Sequence, residues 1–182
     1  VVGKALELLN SMNLAEPVVV DLATGSGAIA LSIAVEVPNA LVYAVELSED
    51  ALVYTRVNFA KYAPRAVLSQ GDLATAFPEL LGKVDLLVSN PPYIPDGMIP
   101  IYPEVQLHDP ALALYGGTDG LDFVRQVVSH ALELVKPGGK LVIEHADMQG
   151  ESVRHVLLDY GWRDVETGKD LAGRDRMVSA TR

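Results

Sequence analysis

"PVVVDLATGSGAIALSIAVEVP", residues 17–38, decides the fold. Residues 17–23 form a short, β-branched apolar run, as a parallel strand covered on both faces requires. Gly25 and Gly27 break the run. Residues 25–37 then read as a helix stopped by Pro38. A strand, a glycine turn and a helix in immediate succession form the first half of a βαβ unit.

The same grammar extends in both directions. Residues 2–10 read as a short amphipathic helix. Residues 40–48 form a second strand, and 48–63 a helix with Ser48 as N-cap and Glu49 and Asp50 in its first turn. Residues 66–72 and 84–90 are further strands. Residues 120–135 form a helix closed by Pro137-Gly138-Gly139, which leads into a strand over 140–146. Residues 150–161 are the last helix, with Gly161 at the C-cap. The tail, 162–170 and 175–182, reads as two strands joined by a turn. Such alternation predicts one α/β domain over residues 1–182, with a doubly wound, Rossmann-like sheet that is mostly parallel and ends in an antiparallel C-terminal strand. Ligands of such sheets bind beyond the carboxyl ends of the strands, near the topological switch point.

Composition narrows the class. The 182 residues are 49% hydrophobic with mean hydropathy +0.23, enough for a real core. No apolar run approaches the ~20 residues of a membrane span, and no secretory leader is recognisable, so a cytoplasmic location is expected. The absence of cysteine excludes disulfides, thiolate metal sites and cysteine nucleophiles. The four histidines lack metal-ligand spacing, and no metal is expected. The net charge of -10 lies wholly in residues 1–150, which hold 8 basic and 18 acidic side chains, while residues 151–182 hold six of each. Without a basic stripe, direct nucleic-acid binding is not expected.

Gly25, Gly27 and Ala30 make a G-x-G-x-x-A pattern between strand and helix. Such a loop lets the backbone turn tightly beside a ligand. Glu46, ending the next strand, is placed to accept hydrogen bonds from ribose hydroxyls. Either a dinucleotide or S-adenosylmethionine fits these features. Asp21 favours the second, because a carboxylate there can meet the cationic ammonium end and would repel a pyrophosphate. Asp72 is a second acid, suited to the exocyclic amine of adenine or to a turn cap. Leu73 and Ile29 could pack on the purine or belong to the core.

Residues 84–95, "VDLLVSNPPYIP", end a strand in an amide, two prolines and a phenol. A planar amide or aromatic amine is a poor nucleophile because its lone pair is delocalised. Holding both of its N–H groups on neutral acceptors orients the nitrogen for attack. Asn90 Oδ1 is one such acceptor and the Pro91 carbonyl the other. Pro92 keeps Pro91 out of the helical region, and Tyr93 offers a flat face to the acceptor group. The alternative is a rigid strand terminator.

The blocks "DLATGSGAIALSIA", "NPPYIP", "PEVQLHDPALALYGGTDGLD", "LVKPGGKLVIEH" and "KDLAGRDRM" together resemble the HemK/PrmC family of class I S-adenosylmethionine-dependent methyltransferases. These enzymes methylate the side-chain amide nitrogen (N5) of the glutamine in the Gly-Gly-Gln motif of peptide-chain release factors. The resemblance covers nearly the whole chain. It implies S-adenosylmethionine, leaving S-adenosylhomocysteine, as cofactor, and a class I release factor as protein substrate. Cofactor contacts are expected from Asp21, Ala23, Thr24, Gly25, Ser26, Gly27, Glu46, Asp72, Leu73 and Asn90. Asn90, Pro91, Pro92 and Tyr93 would hold the substrate glutamine, with Asn90, Pro91 and Tyr93 catalytic. Ribosomal-protein glutamine and nucleic-acid adenine-N6 are alternative acceptors. A non-catalytic nucleotide-binding subunit and an NAD-linked dehydrogenase are further alternatives. Two features depart from the family. Ala23 stands where glycine is usual, tolerable if its φ is negative, and the N-terminal helical domain of the family is mostly absent.

Residues 94–119 form a long connection of the kind that makes lids or substrate loops, with Glu104, His108 and Asp109 as candidates to line it. His130 and His155 fall inside helices and read as structural or solvent-facing. His145, at a strand end, is near enough to the crevice to be a candidate. Arg174 and Arg176 read as fold-closing ion-pair partners.

Overall fold

The computed structural model describes residues 1–99 and 103–182. Its strands are β1 (Val18–Leu22), β2 (Leu41–Glu46), β3 (Val67–Gln70), β4 (Val84–Ser89), β5 (Val135–Glu144), β6 (Arg163–Lys169) and β7 (Asp175–Thr181). The helices are α1 (Val2–Met12), α2 (Ala28–Glu36), α3 (Glu49–Tyr62), α4 (Pro103–His108), α5 (Ala111–Leu114), α6 (Asp122–Leu134) and α7 (Gly150–Asp159). The strands form one sheet in the order β3-β2-β1-β4-β5-β7-β6. Strands β1 to β5 pair in parallel, whereas β7 runs antiparallel to both of its neighbours. This is the doubly wound architecture that the alternation of strands and helices predicts. Among the described residues no helix is long and apolar enough to cross a membrane.

The pleat sorts the central strands onto two cores. Val19, Leu86, Val88 and Val142 point to one face, where Ala5 and Leu9 of α1, Ala30 and Ile33 of α2 and Phe59 of α3 cover them. Val20, Leu22, Leu87, Leu141 and Ile143 point to the other, under Val124, Val127 and Val128 of α6 and Val153 and Leu157 of α7. Every residue of β4 is buried, and all but Asp85 and Ser89 are apolar, so the strand shows no polar face in its sequence. The apolar members, Val84, Leu86, Leu87 and Val88, each contribute about 1.5–3 kcal/mol by leaving water. β4 is therefore a rigid post for whatever follows it.

Helix signals behave as expected at Ser48, whose Oγ accepts the Ala51 N–H at 3.2 Å, and at Gly161, which takes φ 87 just past α7. Two boundaries differ by more than two residues. α2 begins at Ala28 rather than at residue 25, because Gly25 (φ 58) and Gly27 (φ 88) are left-handed and cannot join a right-handed helix. α6 ends at Leu134, and Pro137-Gly138-Gly139 lies inside β5 rather than ahead of it. The register with β4 jumps from Val84–Val135 to Leu86–Lys140, so the Pro-Gly-Gly segment is absorbed as a bulge.

Candidate active site

Strand register builds the site. Val45, Leu22, Ser89 and Ile143 form one row across β2, β1, β4 and β5. The next residue along each strand is therefore Glu46, Ala23, Asn90 or Glu144, all at the carboxyl edge beside the β1–β4 switch point. The Ser89 hydroxyl donates to the Leu22 carbonyl at 2.7 Å and locks the two central strands at this level. Three residues predicted for the site thus share one edge through register alone.

On the β1 side the glycine loop is wired by buried acids. Asp21 is wholly buried, and its Oδ2 accepts the Thr24 hydroxyl at 2.6 Å and the Ala30 N–H at 3.1 Å. Its Oδ1 is buried with no hydrogen-bond partner among the described residues. Burial, with a smaller push from Glu46, raises the carboxyl to about 7 despite the Thr24 and Ala30 bonds. Glu46 accepts the Gly25 N–H at 2.7 Å and the Ser48 N–H at 2.8 Å. Two more loop donors turn inward, Thr24 N–H to Val45 and Gly27 N–H to Thr24. A pyrophosphate would meet two carboxyl groups here, Asp21 and Glu46. Asp21 lines none of the cavities at this site, so its partnerless oxygen would act on a ligand from behind the loop.

Gly25 and Gly27 meet the demand for φ in the left-handed region, but Gly27 has a further duty. A Cβ there would stand 2.6 Å from the Phe59 ring, so this glycine lets α2 approach α3. Ala23 also takes φ 58. The condition under which its methyl was expected to be tolerable, a negative φ, is not met. A non-glycine residue held there carries about 1–2 kcal/mol of steric cost.

The loop borders a groove of about 320 Å³ lined by Ala23, Thr24, Gly25, Ser26, Glu46 and Asn90, among others. An inner pocket of about 70 Å³, with Glu46, Asp72, Leu73 and Phe123, shares Ala23, Glu46, Pro92 and Leu112 with the groove. Ile29 lines the groove but not the inner pocket, so it is separated from Leu73. Asp72 spends one oxygen on the Ala74 N–H at 2.8 Å, which is the turn-capping role. It borders the inner pocket as well, and the two roles coexist.

On the β4 side, Asn90 lines both the groove and an outer cleft of about 770 Å³ bounded by α1, Glu144, Arg176 and the β6–β7 hairpin. Asn90 is exposed, and among the described residues nothing hydrogen-bonds its side chain. Pro91 is buried, while Pro92 and Tyr93 are half-buried. The Tyr93 hydroxyl donates to Glu144 Oε1 at 3.3 Å. Burial and the Glu144 charge raise the phenol, and Arg176 opposes them. Tyr93 is thus fixed through its hydroxyl, a role beyond the flat face expected of it.

The Methyltransferase small domain model matches residues 4–99, which include the glycine loop, Glu46, Asp72 and Asn90 to Tyr93. The chain belongs to this family. It is 50% identical over 182 residues to a release factor glutamine methyltransferase of Streptomyces coelicolor, covering 99% of this chain and 64% of that one. It is 46% identical over 148 residues to a 4-amino-L-phenylalanine/4-methylamino-L-phenylalanine methyltransferase of Streptomyces pristinaespiralis, covering 81% and 50%. The chain therefore spans only part of the length of the curated relatives it matches. A methyltransferase from Pyrococcus furiosus superposes with a TM-score of 0.71 at 19% identity, covering 99% of this chain and 82% of that one. At that identity the likeness describes the fold.

In this methyltransferase small domain the other residues singled out from sequence separate clearly. Glu104, His108 and Asp109 are exposed, the first two on α4. Part of the connection over 94–119, residues 100–102, lies outside the described residues. His130 is buried against the Ala76 carbonyl at 2.8 Å, and His155 is exposed. His145 is wholly buried, with Nδ1 on the Ala146 carbonyl at 2.7 Å, and lines none of these cavities. Asp170 pairs with Arg174 at 3.1 Å and Arg176 at 3.6 Å, closing the β6–β7 hairpin. Among the described residues no cluster of three metal-ligating groups occurs.

Sequence reading missed the loop's supports. Thr55 donates to the Gly25 carbonyl at 2.6 Å and Asn58 to the Ser26 carbonyl at 3.0 Å. The signal was present as a polar pair at i, i+3 on one face of α3. Glu144, beside Asn90 on the edge row, has no sequence signal of its own beyond its place at a strand end.

Proposed function

We propose that residues 1–182 act as one catalytic domain that transfers a methyl group from S-adenosylmethionine to the N5 amide nitrogen of a glutamine. The substrate in this reading is the Gly-Gly-Gln glutamine of a class I peptide-chain release factor in the cytoplasm. The observation that carries it is Asn90: a free side-chain amide at the end of a fully buried strand, where the groove meets the outer cleft. The name of the Streptomyces coelicolor relative supports glutamine as the acceptor.

The groove and inner pocket would take the cofactor. Asp21 Oδ1 and the loop of Ala23, Thr24, Gly25, Ser26 and Gly27 suit its amino-acid end, Glu46 its ribose, and Asp72 and Leu73 its base. When bound, S-adenosylmethionine supplies an electrophilic methyl on a sulfonium. Asn90 Oδ1 and the Pro91 carbonyl accept the two N–H groups of the substrate amide and direct its nitrogen toward the groove. Pro92 stiffens the turn and Tyr93 packs on the planar amide. No base precedes attack, because an amide N–H is far too weakly acidic; the proton leaves to solvent after transfer.

An aromatic amine as acceptor is the second reading, favoured by the Streptomyces pristinaespiralis relative. The same clamp would hold its N–H₂ group. An adenine in nucleic acid is disfavoured by the net charge of -10. Mass spectrometry of a release factor incubated with the protein and S-adenosylmethionine tests the proposal. One added methyl on the Gly-Gly-Gln peptide is expected. Its absence, with methylation of 4-aminophenylalanine instead, would replace the first reading by the second.

A further inference from the structure

We infer that Gln149 is a positioning residue for the corner formed by Asn90 to Tyr93. The inference rests on the methyl-transfer reading above and adds to it the group that holds the clamp in place.

Gln149 ends a single helical turn between β5 and α7 and is 6% exposed. Its Oε1 accepts the Ala146 N–H at 3.0 Å. Its Nε2 donates to the Tyr93 carbonyl at 2.8 Å and reaches the Asp119 carbonyl at 3.5 Å. One amide thus joins three separate segments, and it supplies both a donor and an acceptor at any pH. Gln149 lines neither the groove, the inner pocket nor the outer cleft, so it acts through what it holds.

The surroundings are shaped around that bond. Gly120 takes φ 74, and a Cβ on it would lie 2.3 Å from the Tyr93 carbonyl oxygen and 2.7 Å from Gln149 Nε2. A Cβ on Gly116 would lie 2.6 Å from the Pro92 carbonyl oxygen. Beyond Tyr93 the main chain is zipped to residues 114–117: Ile94 N–H to Leu114, Gly116 N–H to Ile94, and Asp96 N–H to Gly117, at 2.8–2.9 Å. β4 ends at Ser89 and the zip begins at Ile94. Gln149 tethers the main chain between those anchors, two residues from the Pro91 carbonyl. Losing the tether lets the two acceptors drift, and a shift of about 1 Å in such geometry costs on the order of a hundredfold in rate.

Two variants test this. Gln149→Met keeps the length and removes both polar functions. Gln149→Glu keeps the acceptor for Ala146 and removes the donor to Tyr93. In both, amide exchange of the peptide spanning 90–97 should accelerate while peptides from β1 and β4 hold their protection. On a release factor, kcat should fall about a hundredfold with the S-adenosylhomocysteine Kd within twofold of wild type. For Gln149→Glu, activity relative to wild type should recover as pH falls toward 6, since the protonated carboxyl donates again. Unchanged exchange at 90–97, or kcat within twofold of wild type, overturns the inference. If wild type itself leaves the release factor unmethylated while both variants loosen 90–97, the positioning role stands and the substrate reading fails.

Discussion

The two loops that frame the groove are held in opposite ways. Residues 23–27 are held by side chains: Asp21 on Thr24 and Ala30, Glu46 on Gly25 and Ser48, Thr55 and Asn58 on the carbonyls of Gly25 and Ser26. Residues 90–96 are held by main-chain pairing to 114–117, by one buried amide and by the Tyr93 hydroxyl on Glu144, while Asn90 is left free. On the first loop one acid, Glu46, both holds the main chain and lines the groove, while Asp21 supports the loop from beneath. Where a ligand needs neutral acceptors, scaffold and working group are different residues. Damage to the first loop should therefore move stability and affinity together, and damage to the second should separate them.

Asn90→Ala is the sharpest attempt to break that contrast. It should lower kcat by roughly 10²–10³-fold, with stability within about 0.5 kcal/mol of wild type. S-adenosylhomocysteine affinity, by calorimetry, should change only a few-fold. Turnover that survives this substitution removes the clamp from the mechanism. Glu46→Ala is the matched experiment on the other loop. It leaves the Gly25 and Ser48 N–H groups without their acceptor, at about 1–3 kcal/mol for each group that stays buried. Melting temperature and cofactor affinity should fall in the same variant. An affinity loss with unchanged melting temperature would show that Glu46 serves the ligand alone.

Asp21 gives a pH signature. Its carboxyl is raised to about 7 in the folded chain against 3.8 for the ordinary group. The folded state therefore binds this proton more tightly than the unfolded state. The group's contribution to stability is full below about 4 and is lost as pH rises through 7. Cationic ligands favour the ionised form, so binding should run the other way. S-adenosylhomocysteine should bind about tenfold more weakly at pH 6 than at pH 8. Asp21→Asn should flatten that dependence, and a wild-type Kd that is flat across this range would take Asp21 out of cofactor recognition.

The contrast between the loops also sets what could be read from sequence. The glycine loop, Ser48 and the acids at strand ends were legible because their causes are local: a φ that only glycine takes easily, a cap, a strand terminus at the carboxyl edge. Asn90 was legible because an amide between a buried strand and two prolines has few local explanations. Gln149, Gly116 and Gly120 were not, because their partners lie 20 to 60 residues away in the chain. Pro137-Gly138-Gly139 misled for the complementary reason. Its local preference is to stop a helix, yet Val135 is already paired with Val84, and the sheet absorbs the segment as a bulge. In each case a long-range contact outweighs a local preference.

The smallest predicted effect concerns Ala23, where local preference and long-range constraint meet. Its φ of 58 is imposed by the chain leaving β1 level with Asn90 and turning at once into a loop whose Thr24 N–H is fixed to Val45. The methyl is half-buried against the core, yet a left-handed alanine costs about 1–2 kcal/mol. Replacing alanine by glycine relieves this but adds about 0.4–1 kcal/mol of unfolded-state entropy. The difference favours Ala23→Gly by about 0.5–1 kcal/mol, a rise of roughly 1–4 °C in melting temperature for a chain of this size. Ala23 lines the groove as well, so the variant also asks whether the methyl touches the ligand. Higher stability with S-adenosylhomocysteine affinity unchanged means that the methyl only strains the loop. Higher stability with tighter binding means that it also crowds the cofactor, whereas lower stability would show that the turn tolerates φ 58 at alanine with little strain.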